Sequence, residues 1–232
     1  VSGTGVAWLQ TRDFGGSGQN WGSRRLESPT IDLSSSTSPY LRFWMFNADG
    51  SSALHMRIMG SSDGGTTWLN IQQFTPNFVL AGTAAASTPW SRITVSIPAA
   101  FRTANMKIGI EVGSPWGTNN VSIDDVSVEE FSPTTIVSTG AGGLWSDVAT
   151  WVGGVVPSSD NNVVISAGAT VNLNVNIARC QNLQVDGILQ YNSTTSTILL
   201  QTFGSFTVTA TGTYNSFSGT TGKRTYIGGN IN

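Results

Sequence analysis

The chain has 232 residues, with 11 basic and 13 acidic side chains, a single histidine and a single cysteine. Only 10% of its residues are charged, against about a quarter in ordinary soluble domains, while 39% are hydrophobic and eight are tryptophan. This balance excludes a disordered chain, a basic footprint for nucleic acid, an internal disulfide and a cysteine zinc cluster. What remains is an all-β protein whose stability comes from sheet packing.

No apolar run approaches the roughly 20 residues that span a bilayer, so membrane insertion is not expected. The chain starts at Val1 without a charged-then-apolar leader, which suggests a mature or excised portion of a longer secreted product. Two sequons, at Asn120 and Asn192, permit glycosylation but are common by chance in a chain this rich in Asn, Ser and Thr.

In chain order, the run LRFWMFN, 41–47, is apolar at both parities and suits a central strand between two sheets. Alternation at Leu54, Met56 and Ile58 predicts a half-buried strand, followed by a second over Leu69 to Phe74. Between them SSDGGTTW, 61–68, supplies Asp-Gly-Gly for a tight hairpin. The octet also matches the Asp-box pattern of sialidase propellers, but a propeller needs the motif repeated and it occurs once. Further alternating strands are predicted at Ile93, Val95 and Ile97 and at Met106, Ile108, Ile110 and Val112. Only IPAAFRTANM, 97–106, has a turn's worth of helical propensity.

The stretch NNVSIDDVSVEE, 119–130, places two carboxylates inside a strand, where Asp is disfavoured. Val121 and Ile123 share one face, but Val126 and Val128 fall at the other parity, so the inward phase slips by one residue. A β-bulge at Asp124 and Asp125 repairs the phase, and its re-aimed carboxylates can cap loop amides or bind a hard cation. Adjacent strand residues face opposite ways, which argues against a catalytic acid and base pair.

Phe131 to Thr135 is the boundary: the aromatic strand pattern stops, and Val, Asn and Thr take over. Residues 1–131 and 132–232 are therefore expected as separate domains. In the second, NNVVISAGATVNLN, QNLQVDGILQYN and GSFTVTATGTYN resemble three diverged copies of one unit. Matching Val164, Val185 and Val208 gives steps of 21 and 23 residues, about one coil of a parallel β-helix. Trp145 and Trp151 are expected to plug one end of this solenoid, and TYIGGNIN at the other shows no evident cap. An uncapped solenoid invites neighbouring β-helix modules or self-association into a filament or sheath.

The first half, with LESPTIDLSS, LRFWMFN, SSDGGTTW, WSRITVSIP and NNVSIDDVSV in order, resembles the MAM-like jelly rolls known as choice-of-anchor or cleaved-adhesin domains. The second, with G-x-W-x(5)-W, then Pro, then Asp-Asn-x-V-x-I within 143–174, is similar to the start of bacterial surface β-helices. The resemblance implies a secreted, modular and mostly non-catalytic protein of Bacteroidetes-like bacteria, located outside the cell or on its surface. It also implies a structural Ca2+ at Asp124 or Asp125, with Asp13 or Asp49 as further ligands, although six to eight oxygens are needed.

No catalytic constellation emerges. His55 alternates with Leu54 and Met56 on a strand and lacks a G-x-S-x-G elbow. Asp147 and Asp160 suit turns, and Glu129 and Glu130 a solvated strand end. A binding role has better material: Trp21, Trp90 and Trp116 stand in loop contexts where an indole stacks on a sugar ring, with Asn119, Asn120 or Arg92 as polar partners. Lids over the core are the structural alternative for the same tryptophans. The expectation is an all-β protein, a jelly-roll β-sandwich followed by a short parallel β-helix, non-catalytic and structural or adhesive. The alternative is a carbohydrate-binding accessory region of a secreted hydrolase.

Overall fold

The computed structural model describes residues 7–10, 25–47, 55–74, 90–113, 120–191, 198–216 and 222–232. The chain divides into two compact units, Val1–Phe131 and Ser132–Asn232.

In the first unit the strands are β1 (Ala7–Gln10), β2 (Arg25–Glu27), β3 (Pro39–Asn47), β4 (His55–Ser61), β5 (Leu69–Phe74), β6 (Ser91–Ser96), β7 (Lys107–Gly113) and β8 (Asn120–Glu130). They form two antiparallel sheets in the orders β1-β8-β3-β6 and β2-β7-β4-β5. Alternation explains the β-sandwich. Leu41, Phe43 and Met45 of β3 and Ile93 and Val95 of β6 are buried from one sheet, and Ile58, Ile108 and Ile110 from the other. Each such side chain contributes about 1.5–3 kcal/mol of burial.

The β4-β5 hairpin turns where the sequence predicts it, with Gly64 and Gly65 at φ 75° and 101°. Asp63 organises the turn, accepting from the backbone N–H of Thr66 and Thr67 at 3.0 and 2.9 Å and from the Thr67 hydroxyl at 2.6 Å. The Trp68 indole donates back to the Gly65 carbonyl at 3.0 Å. The single Asp-box octet forms a turn that is also tied to the segment before β7: Gly64 N–H donates to the Asn105 carbonyl at 2.9 Å and the Thr103 hydroxyl to that of Ser62 at 3.0 Å. The helical propensity after β6 is spent on one 3-10 turn, Ala99–Phe101.

The run LRFWMFN differs from its expectation. β3 is central within its sheet, but only one of its faces enters the core; Arg42, Trp44 and Phe46 project from the other. A charged residue at the parity of Trp44 and Phe46 is the physical reason, since a guanidinium resists a dry two-sided core.

In the second unit, β9 (Thr134–Val137) and β10 (Gly143–Leu144) precede three coils. The first holds β11 (Asn161–Ile165), β12 (Thr170–Leu173) and β13 (Ile177–Cys180). The second holds β14 (Leu183–Val185), β15 (Ile188–Tyr191) and β16 (Ile198–Thr202), and the third β17 (Phe206–Val208), β18 (Thr213–Asn215) and β19 (Lys223–Ile227). Like strands stack in parallel as the sheets β17-β14-β11-β9, β10-β12-β15-β18 and β13-β16-β19. This is a parallel β-solenoid.

Its register corrects the repeat match by one position. Val185 does oppose Val208, but its partner in the first coil is Ile165, while Val164 points outward opposite Gln184. In the run NNVVIS it is Val163 and Ile165 that are buried, at 1% and 0% exposure. A doubled valine hides which of two adjacent residues carries the inward phase. The glycine turns serve close packing between coils: a Cβ on Gly187 would lie 2.2 Å from the Ser166 carbonyl oxygen, and one on Gly212 1.9 Å from that of Val185.

Candidate functional site: an aromatic face on the sandwich

The outward face of β1-β8-β3-β6 gathers most of the chemistry that the described residues offer. Cross-strand pairing sets Trp44 between Arg92 of β6 and Asp124 of β8, and sets Phe46 opposite Ser122. Side chains of directly opposed residues share a face. The Arg92 guanidinium lies 5.8 Å from the Trp44 ring centre, and the Trp90 and Phe46 rings are 5.8 Å apart at 38°. All three aromatics are half-buried. Further along, Arg42 pairs with Glu129 and lies 4.2 Å over Phe131, whose edge meets Tyr40 at 5.2 Å. The face thus offers apolar rings to stack on, a guanidinium beside them and hydroxyls on β8.

Of the predicted glycan residues, Trp90 belongs to this face; Trp21, Trp116 and Asn119 lie outside the described residues. Sequence reading passed over Trp44 and Phe46 because it took their strand as buried on both sides. The available signal was Arg42, two and four residues before them.

The Asp pair forms the expected bulge. Arg42 opposes Ser127 while Trp44 opposes Asp124, so one extra residue of β8 is accommodated opposite Phe43. Asp125 takes φ 50°, the positive value typical of such an inserted residue. Asp124 is 8% exposed, and its Oδ1 accepts the Asp125 backbone N–H at 2.8 Å; its Oδ2 has no hydrogen-bond partner. This is the amide-capping geometry. As a calcium centre, the described residues supply this one free carboxylate oxygen, with Asp125 exposed beside it. Asp13 and Asp49 lie outside them, and among the described residues no group of three or more acidic, His or Cys side chains gathers.

The outward face of the second sheet is built around Glu111. It is 1% exposed and takes one arginine on each oxygen, Arg25 Nε at 2.8 Å on Oε1 and Arg57 Nε at 3.0 Å on Oε2. Arg25 also lies 4.2 Å over the Trp68 ring. The Glu111 carboxylate is engaged from both sides, so the cluster acts as a structural clamp.

Other candidates resolve into structural roles. His55 opens β4 opposite Gly113. Glu129 and Glu130 are exposed at the strand end, as expected, and each also has a partner: Glu129 pairs with Arg42, and Glu130 accepts from the Thr37 and Ser38 backbone N–H at 3.1 and 2.7 Å. The Ser38 bond leads in lowering the Glu130 pKa. Asp147 caps the 3-10 turn Val148–Thr150 by accepting from Ala149 N–H at 2.9 Å. Asp160 directly precedes β11. Trp145 and Trp151 are buried at 1% and 2%, ring centres 5.1 Å apart, with the Trp151 indole donating to the Trp145 carbonyl at 2.9 Å. Cys180 is wholly buried, and burial pushes its thiol pKa up, away from the reactive thiolate.

Among the described residues no helix is long and apolar enough to cross a membrane. A family profile described as the G8 domain matches residues 150–214, a stretch inside the solenoid and well short of half of the chain. No curated protein matches the chain. Among solved structures, the chain is similar to the K2 cleaved adhesin domain of Lys-gingipain, at 13% identity over 53% of this chain and 89% of that one, TM-score 0.33. It is also similar to a carbohydrate-binding module specific for non-crystalline cellulose, at 12% identity over 48% and 72%, TM-score 0.34. A third is a Caldicellulosiruptor saccharolyticus carbohydrate-binding module in complex with mannohexaose, at 14% identity over 53% and 80%, TM-score 0.33. Scores this low leave function to the site itself.

Proposed function

We propose that the protein is an extracellular, non-catalytic adhesive module that holds carbohydrate on the aromatic face of its sandwich. One observation carries this reading: Trp44, Phe46, Trp90 and Arg92 cluster on a surface sheet rather than in the core. Pyranose rings present C–H faces that stack on indoles, and their hydroxyls bond to guanidinium and serine groups. No reaction is assigned.

The test is retention on a panel of polysaccharides. A Trp44→Ala/Trp90→Ala variant should bind at least about tenfold more weakly, ~1.4 kcal/mol, at an unchanged melting temperature. Equal retention by the folded variant removes the face from consideration.

A second reading, assembly through the solenoid, has its own support. Asn230 to Asn232 already add to β17 in parallel: Phe206 N–H donates to the Asn230 carbonyl at 2.9 Å, and Asn232 N–H to that of Phe206 at 3.0 Å. Sedimentation velocity across a wide concentration range decides it: growth into larger species supports self-association, and a concentration-independent monomer rejects it.

A further inference from the structure

The solenoid carries a second concave surface, chemically unlike the aromatic face. A groove of about 470 Å³ runs across the outward side of β17-β14-β11-β9. Register builds it in rows: Thr135 opposes Asn162, while Val164 opposes Gln184, which opposes Thr207. Not one of its lining side chains is ionisable.

Its wall is braced. The Asn182 side-chain amide donates to Asn162 Oδ1 at 2.7 Å, and Asn182 Oδ1 accepts the Ser205 backbone N–H at 2.8 Å. Gln184, exposed on the groove lining, donates its amide N–H to the Asp186 carboxylate at 2.9 and 3.0 Å, which leaves its Oε1 as an acceptor. Thr135 is exposed and Thr207 half-buried, and Val164, in the same row as Gln184 and Thr207, adds a half-buried apolar surface. Acceptors and hydroxyls therefore recur at the strand spacing of about 4.8 Å.

We infer that this groove binds a neutral polysaccharide chain laid along the solenoid axis, across the strands. Strand spacing is close to the advance of one pyranose along an extended glycan, so successive sugars meet successive coils. Hydroxyl groups find Gln184, Thr207 and Thr135, and a C–H face rests on Val164. A phosphate, sulfate or uronate ligand would need cations, which the lining lacks. A peptide strand would need a free sheet edge, but β11 and β14 are hydrogen-bonded on both sides. The inference stands on the solenoid alone and is independent of the sandwich reading.

The experiment uses the whole chain with mixed-linkage β-glucan, glucomannan, xylan and galactan, plus polygalacturonate as the anionic control, read by affinity electrophoresis and titration calorimetry. Gln184→Ala/Thr207→Ala is expected to weaken binding of a neutral glycan about tenfold at an unchanged melt. Thr135→Arg, which fills the groove from an exposed position, should do the same. Both are repeated on the Trp44→Ala/Trp90→Ala background. Loss there, on top of whatever the aromatic substitutions remove, supports the groove; loss in the groove variants alone keeps the groove and sinks the sandwich reading. Unchanged affinity in both groove variants, no retention of the wild type by any neutral glycan, or equal retention by polygalacturonate overturns it.

Discussion

At the scale of single residues, the two aspartates in β8 illustrate how far a phase argument reaches. The parity slip between Ile123 and Val126 is visible in the sequence, and the structure resolves it as a bulge with Asp125 at φ 50°. Gly is at ease there and β-branched residues are not. Asp125→Gly should leave stability equal or up to about 1 kcal/mol higher, whereas Asp125→Val should cost about 1–2 kcal/mol, measured by chemical denaturation. Asp63 gives a pH prediction. The Thr67 hydroxyl bond first, and then its backbone N–H, hold the carboxyl well below the ordinary 3.8. A depressed folded-state pKa means that the contribution is complete above about pH 4 and is lost as pH falls through the lower folded value. The melting temperature of Asp63→Asn should therefore fall less steeply with acidification than that of the wild type. Parallel curves would show that the turn is not linked to this proton.

At the scale of elements, β3 and the first coil show where pattern reading stops. Periodicity identified both as strands, yet it did not say which face of β3 meets solvent or which valine of the pair in β11 points inward. Those choices depend on the partners across the sheet, Arg92 and Asp124 for Trp44 and Gln184 for Val164. The tryptophan pair at the start of the solenoid, expected as a plug, is buried with both rings in the solenoid's apolar core. Trp151→Ala removes a buried indole and its bond to the Trp145 carbonyl, and should cost about 3–5 kcal/mol. A change under about 1 kcal/mol in the solenoid's unfolding would contradict that role.

At the scale of the whole molecule, the two units rest on different physics: cross-sheet apolar packing with a charged clamp in one, coil stacking in the other. Glu111→Ala strands two arginines that are each about a fifth exposed, 19% and 22%, so the cost should lie at the low end of the buried-pair range, about 3 kcal/mol. Calorimetry of Glu111→Ala and Trp151→Ala is expected to lower different transitions, and a single shared transition in both would refute independent units. Calcium enters here too. Binding near Asp124 would raise the sandwich transition in proportion to the logarithm of free metal. Identical melts with calcium and with chelator dispose of it.

Spacing along the chain and local backbone preference were enough to place the all-β class, the hairpin at Asp63, the bulge in β8 and the coil period. It took packing across the sheets to bring Trp44, Phe46 and Trp90 onto one surface with Arg92, to clamp Glu111 between two distant arginines, and to line one groove with Thr135, Gln184 and Thr207. Those groupings join residues from separate strands, and their register is set by packing against neighbours that no local pattern records.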